Sequence, residues 1–172
     1  MREVHAVIFD LDNTLWDVGP VILRAEHAML RFLAERYPRV VELHSLESMR
    51  DVRARMAMDH PAMRHDFTWL RTQALLAHAR EAGYPESMAH ETFEVFFRAR
   101  NDVVLYDDVL PAFEALAGRY RLFAISNGNA DLAAIGARGG LRPDDHANTT
   151  AGAPAGAVGA QSGFIGVGSD VD

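Results

Sequence analysis

The 172-residue chain contains no cysteine and no lysine. The first absence excludes disulfides, thiolate nucleophiles and cysteine-bound zinc. The second makes all 17 basic residues arginine, the mark of an arginine-favouring codon usage, and leaves no lysine for catalysis. Also missing is any apolar run as long as a membrane span. The chain passes from Met1-Arg2-Glu3 straight into a short apolar stretch, with neither an h-region nor a cleavage site, so the expected location is the cytoplasm. Positive charge is short as well: the net charge is -7 and the pI is near 5.6. Such a chain has no electrostatic reason to seek nucleic acid or an anionic membrane. Hydrophobic residues at 49% and charged residues at 24% are ordinary for a soluble globular protein. The length predicts one domain, or a core with a smaller cap. Nothing in the sequence fixes the oligomeric state.

Val4 to Phe9 is a short apolar run with β-branched members, ending at Asp10. It reads as a buried strand of a parallel sheet covered on both faces. Gly19-Pro20 then opens a helix carrying Ile22, Ala25, Met29, Phe32 and Leu33, which Tyr37-Pro38 stops. From Ser45 to Arg100 the pattern is helical. One helix starts at Ser45. A second starts near Asp66, a good N-cap, and ends at Gly83. A third carries Met88, Thr92, Phe93, Phe96 and Phe97. Asp107-Asp108 reads as the N-cap of a short helix over Val109 to Leu116. Arg121 to Ser126 is the second strand, and a helix starts over Ala130 to Ile135. Nine of the thirteen glycines lie from Gly136 onward, amid Ala, Thr and Pro, where only Phe164 to Val167 reads as a strand. The expected organisation is therefore a core of residues 1–17 and 101–136, a helical insert of 18–100, and an Ala/Gly-rich tail of 137–172 with a disposition to disorder.

The chemistry concentrates at Phe9-Asp10-Leu11-Asp12-Asn13-Thr14-Leu15, directly after the first strand. In an extended segment Asp10 and Asp12, two residues apart, point to one side at the sheet's C-terminal edge, where open α/β sheets place ligands. Two carboxylates so close need a compensating proton or cation, and a hard divalent ion with oxygen ligands, most simply Mg²⁺, supplies it. One carboxylate can then attack phosphorus, while the second protonates the leaving oxygen and later activates water. A bare Asp-x-Asp is also what a turn after a strand contains. The extended motif is much more specific.

At these residues the sequence resembles the haloacid dehalogenase superfamily, whose opening motif is an apolar strand followed by Asp-x-Asp-x-Thr. Its second motif, an apolar strand ending in Ser or Thr, is matched by Leu122 to Ser126 followed by Asn127-Gly128. The resemblance implies an α/β fold: a Rossmann-like parallel sheet core with an inserted α-helical cap that closes over the active site and chooses the substrate. It implies that Asp10 is the nucleophile and a metal ligand. Asp12 is then the acid/base, lending its backbone carbonyl to the metal. Thr14 supports the loop, and Ser126 with the amide of Asn127 holds the phosphoryl group. The implied cofactor is Mg²⁺ and the implied partner a small phosphorylated metabolite. Asp12-Asn-Thr-Leu-Trp-Asp17, Gly19-Pro-Val-Ile-Leu-Arg24 and Ala124-Ile-Ser-Asn-Gly-Asn129 narrow the likeness to bacterial flavin-pathway phosphatases. Those enzymes act on flavin mononucleotide and on the phosphorylated ribitylaminouracil precursor of riboflavin.

Two further motifs of the superfamily are not matched. One supplies a Lys, rarely an Arg, and this chain has no Lys, while Arg138 and Arg142 follow the second motif too closely to stand in. The other is a strand ending in an acidic cluster. Phe164-Ile-Gly-Val-Gly-Ser-Asp170-Val-Asp172 resembles it only faintly, and Asp170 is not assigned to the site. The change of character near Gly136 predicts a shifted reading frame or a truncated product, with a core incomplete at its C-terminal end. Two rival readings follow: an inactive remnant that at most binds phosphate, and a haloacid dehalogenase, against which Asp12 argues. The insert's histidines, His44, His60, His65, His78 and His90, show no metal-ligand partner at helical spacing and read as solvated surface. Trp69, Phe93, Phe96 and Phe97 read as cap core, and Arg24 as a solvated position.

Overall fold

The computed structural model describes residues 4–139, 141–142, 161–164 and 166–167, with side chains described over 4–136. It divides into two compact units: Gly19–Arg100, and Met1–Val18 with Asn101–Asp172.

The first of these is all helical. Helix α1 (Val18–Arg36) ends because Tyr37 precedes a proline and is pushed out of the helical region, with φ -140° and ψ 55°. Pro38 then occupies the first position of a short helix, α2 (Pro38–Leu43), which the periodicity did not disclose. Ser45 caps α3 (Leu46–Asp59), its hydroxyl accepting the Ser48 N–H at 3.2 Å. Asp66 caps α4 (Phe67–Ala82), accepting the Trp69 N–H at 2.8 Å. Gly83, at φ 75°, closes α4 in the left-handed conformation, and its N–H reaches back to the carbonyls of Ala79 and Arg80. Helix α5 (Ser87–Arg100) completes the unit. Helix α4 packs against α2, α3 and α5, which explains why Leu70, Ala74, Leu75, Leu76, Ala79 and Ala82 are all buried along it. Leu33, Val40, Met88 and Phe96 join Leu75, Leu76, Ala79 and Ala82 in one apolar cluster.

Charges are buried in this unit too. Glu26 on α1 receives Nε of Arg50 at 3.0 Å and, more closely, its Nη2. Arg53 and Arg71 stand 3.5 and 3.8 Å from its other oxygen. The Arg71 guanidinium also lies over the Phe96 ring, 3.5 Å from its centroid. Burial, reinforced by Arg53, pushes Arg71 down to about 9, still charged at neutral pH. The histidines are not uniformly solvated as expected. His78 is 2% exposed, and burial, with His44 beside it, pushes it down to about 4. Helix α4, packed against α2, α3 and α5, carries it inward.

The second unit contains the sheet. Strand β1 (Ala6–Phe9) pairs in parallel with β2 (Arg121–Ser126), in register from Ala6 opposite Arg121 to Phe9 opposite Ala124. Before β2 comes α6 (Val109–Ala117) and after it α7 (Leu132–Gly139). Strand β4 (Gln161–Phe164) runs antiparallel on the far side of β2, giving the order β1-β2-β4. A separate antiparallel pair joins β3 (Leu141–Arg142) to β5 (Gly166–Val167). The tract after Gly136, read from sequence with one strand, thus holds the end of α7 and three short strands. Asp170 and the segments 143–160 and 168–172 lie outside the described residues.

Burial of β1 departs from expectation. One face of the sheet is covered: Leu122 and Ala124 are buried, and Phe9 meets Phe113 of α6 with ring centroids 4.8 Å apart. The alternate face is open, with Ile8 64% and Ile125 46% exposed. Consecutive side chains on a strand point to opposite faces, so an all-apolar run reads alike whether one face or both are covered. Asp108 stands before α6 without a side-chain cap bond, so the expected N-cap is one of position only. The cap of α7 is Asp131, which accepts the N–H groups of Ala133 and Ala134 at 3.0 and 3.1 Å.

Candidate active site

Parallel pairing of β1 and β2 brings their C-terminal ends to one edge of the sheet. Asp10 follows the last residue of β1, and Ser126 is the last of β2, so the nucleophile and hydroxyl expected from sequence lie on neighbouring strand ends. This edge is where a parallel α/β sheet presents loop amides and side chains to ligands.

The loop after β1 is built by local hydrogen bonds. The N–H groups of Thr14 and Leu15 donate to the Leu11 carbonyl at 3.1 and 2.8 Å, turning the chain back on itself. Asn13 takes φ 62°, the left-handed region that asparagine tolerates better than most residues. Its side-chain oxygen accepts the Val18 N–H at 3.2 Å, linking the loop to the start of α1. Tyr106 donates its N–H to the Leu15 carbonyl at 2.9 Å, fastening the loop to the chain's return from the helical unit.

This turn fixes the acids. Thr14 Oγ1 donates to Asp10 Oδ2 at 3.1 Å, holding an exposed carboxylate in one orientation. Among the described residues no donor reaches Asp10 Oδ1. Asp12 is half-buried, and its Oδ1 accepts the indole N–H of Trp16 at 2.9 Å. Trp16 is fully buried, so it is a rigid donor. Sequence reasoning did not single out Trp16 or Asn13. The four-residue spacing of Asp12 and Trp16, and an asparagine in a tight loop, were the available signals.

Ser126 is buried, and its Oγ accepts the N–H of Gly128 at 3.0 Å. That bond turns the chain after β2 and leaves Asn127 exposed at the edge. Asn101 Oδ1 accepts the Asp131 N–H at 2.9 Å, holding the start of α7 from outside the turn. The oxygen-only donor set of Asp10 and Asp12 is of the kind Mg²⁺ takes. Among the described residues no third acid or histidine completes a cluster with them. Arg24 is exposed on α1. Trp69 and Phe97 are half-buried, Phe93 packs on the apolar cluster and Phe96 is within it.

The haloacid dehalogenase-like hydrolase family matches residues 4–156. A curated relative, the 5-amino-6-(5-phospho-D-ribitylamino)uracil phosphatase YigB of Escherichia coli, is 31% identical over 134 residues, which make up 76% of this chain and 56% of the relative. The crystal structure of a 2-haloacid dehalogenase from Pseudomonas syringae aligns with a TM-score of 0.72 at 36% identity, covering 78% of this chain and 60% of that one. The chain spans a little under three fifths of the curated relative and three fifths of the structural one. No described helix is long and apolar enough to cross a membrane. With the family match over most of its length, a hydrolase relative and a shared fold, the chain belongs to the haloacid dehalogenase-like hydrolases.

Proposed function

We propose that the chain is a magnesium-dependent phosphomonoester hydrolase that works through an aspartyl-phosphate on Asp10. Its substrate is a small phosphorylated metabolite, with flavin mononucleotide and the phosphorylated ribitylaminouracil precursor of riboflavin as the leading candidates. One observation carries the reading: an exposed carboxylate, oriented by Thr14, stands at the end of β1 with a second acid two residues on and the Ser126 turn on the adjoining parallel strand. Family membership and the phosphatase relative support it.

In this reading Asp10 attacks phosphorus with one carboxylate oxygen, and the bond from phosphorus to the ester oxygen breaks. Asp12 protonates the departing oxygen, then takes a proton from the water that attacks the phosphoryl group and frees Asp10. Trp16, donating to Oδ1, holds the Asp12 carboxyl in place for that transfer. Ser126 and the Asn127 amide hold the phosphoryl oxygens. Asp10 and the backbone carbonyl of Asp12 would hold Mg²⁺, which when bound neutralises charge on acid and phosphate. Residues 18–100 serve as the substrate-selecting cap, and the expected location is the cytoplasm.

The dehalogenase relative favours a second reading, halide displacement by the same Asp10. Asp12 separates the two, since a phosphatase needs that acid and a dehalogenase does not. Hydrolysis of p-nitrophenyl phosphate with and without Mg²⁺, followed by a screen of phosphorylated metabolites that includes flavin mononucleotide, tests the proposal. Metal-dependent phosphate release, with no halide freed from 2-haloacids, is the expected result. Folded protein that releases no phosphate from any of them would overturn it.

A further inference from the structure

The helical unit carries a second cluster that the phosphatase chemistry does not use. His44 stands at the C-terminal end of α2, next to the Ser45 cap of α3. His78 and Glu81 lie three residues apart on α4, on one face of that helix. A ligand atom from each of the three lies within 4.8 Å of the other two, the one such group of acids and histidines among the described residues.

The contacts inside the cluster are close but unsatisfied. His44 Nε2 is 3.2 Å from Glu81 Oε2, and the two imidazole rings are 4.2 Å apart between centroids at 52°. Yet Nε2 of His44 and Nε2 of His78 are both buried without a hydrogen-bond partner, so the contact with Glu81 lacks the direction of a hydrogen bond. Buried polar atoms are almost always paired, and two ring nitrogens left open at one place call for a partner. His78 is 2% exposed and lies on α4, the helix of the unit with the most buried residues.

We propose that His44, His78 and Glu81 bind a first-row transition-metal dication, Zn²⁺ being the representative ion, that ties the α2–α3 junction to α4. Two imidazoles and a carboxylate suit zinc, copper, nickel and cobalt, and do not suit Mg²⁺ or Ca²⁺, which prefer all-oxygen shells. Tetrahedral ligand atoms on bonds of roughly 2.0–2.2 Å stand about 3.3 Å apart. The His44–Glu81 separation already matches that spacing. The other separations, all within 4.8 Å, close by small turns of the two rings and of Glu81, whose side chain is 61% exposed. Water takes the fourth position. His44 also lines an open surface hollow with Leu30, Arg31, Ala34 and Val41, which gives an ion a route in from solvent. This site is independent of the phosphatase proposal: it shares no residue with the Asp10 edge, and its role is structural.

The test is Zn²⁺ binding to the full chain by calorimetry and thermal unfolding, in buffer containing excess Mg²⁺, with Co²⁺ as a spectroscopic substitute. One Zn²⁺ per chain is expected, with Tm raised by about 5 °C or more at a hundredfold excess over Kd. Co²⁺ is expected to show the visible absorption of a four-coordinate ion. His44→Asn should abolish both signals. Glu81→Gln, a surface change that leaves the fold intact, should weaken binding about tenfold or more. Asp10→Asn should leave both signals unchanged, which separates this site from the active-site acids. No Zn²⁺ bound, binding undiminished in both His44→Asn and Glu81→Gln, or a signal lost in Asp10→Asn would each overturn the proposal.

Discussion

Leu33 and Ile8 are both aliphatic and both lie in regular structure, yet Leu33 is fully buried in the helical unit and Ile8 is 64% exposed on the sheet. Charged groups divide the opposite way. The helical unit draws Glu26, Arg71 and Arg100 inside, whereas the sheet unit keeps Asp10 at an exposed edge. The helical unit encloses its own core from α1 to α5 and uses buried charge to fix how those helices pack. The sheet unit covers one face with α6 and presents its acids to solvent. A buried ion must be matched by partners to persist, but an exposed carboxylate braced by one hydroxyl is free to react. Buried charge here therefore reports on architecture, and exposed charge on chemistry.

Substitutions can break or sharpen that contrast. The largest effect is expected at the exposed acid: Asp10→Asn should lower kcat/KM for p-nitrophenyl phosphate about 10³-fold or more, roughly 4 kcal/mol on the barrier, with the circular dichroism spectrum unchanged. An active Asp10→Asn protein would remove the nucleophile from the edge of β1. The next is expected at the buried acid. Glu26→Ala leaves the half-enclosed guanidiniums without their counter-charge and should cost about 3–5 kcal/mol of stability in urea unfolding. A loss below about 1 kcal/mol would mean that the cluster contributes nothing beyond packing.

A matched pair of truncations then compares the two units directly. Leu33→Ala should cost about 2–5 kcal/mol through lost burial and a cavity. Ile8→Ala should stay within about 0.5 kcal/mol, as at an exposed position. Equal losses at the two sites would show that the outer face of the sheet is covered in solution. The smallest effect is expected at a helix end: Asp66→Ala removes the acceptor of the Trp69 N–H and should cost about 1 kcal/mol.

Much of the helical unit was legible because its signals are local. Ser45, Asp66 and Gly83 mark helix ends by how each satisfies orphan backbone groups, and the helices they bound form as read. Helix α2 escaped because six residues are too few to show periodicity. Strands β1 and β2 were legible for similar reasons, as short apolar runs ending at a polar residue, whereas β3 and β4 carry no such run. What covers each face of β1 was not, since a strand of four apolar residues carries no mark of which side α6 will take. That Asp10 and Ser126 end neighbouring strands could be read from their motifs. The indole donor to Asp12 could not, because it depends on a loop that folds back on itself. The His44–His78–Glu81 group was missed: the three-residue spacing of His78 and Glu81 was passed over as solvated surface, and His44 joins them only through packing of α2 on α4.

The most direct test of the central claim is the mass of the Asp10-containing peptide after acid quench of the chain reacting with p-nitrophenyl phosphate and Mg²⁺. The account predicts one added phosphoryl group on that peptide in the native chain, located at Asp10 and absent from Asp10→Asn. Steady phosphate release with that peptide unmodified throughout, or with the phosphoryl group on another residue, would contradict it.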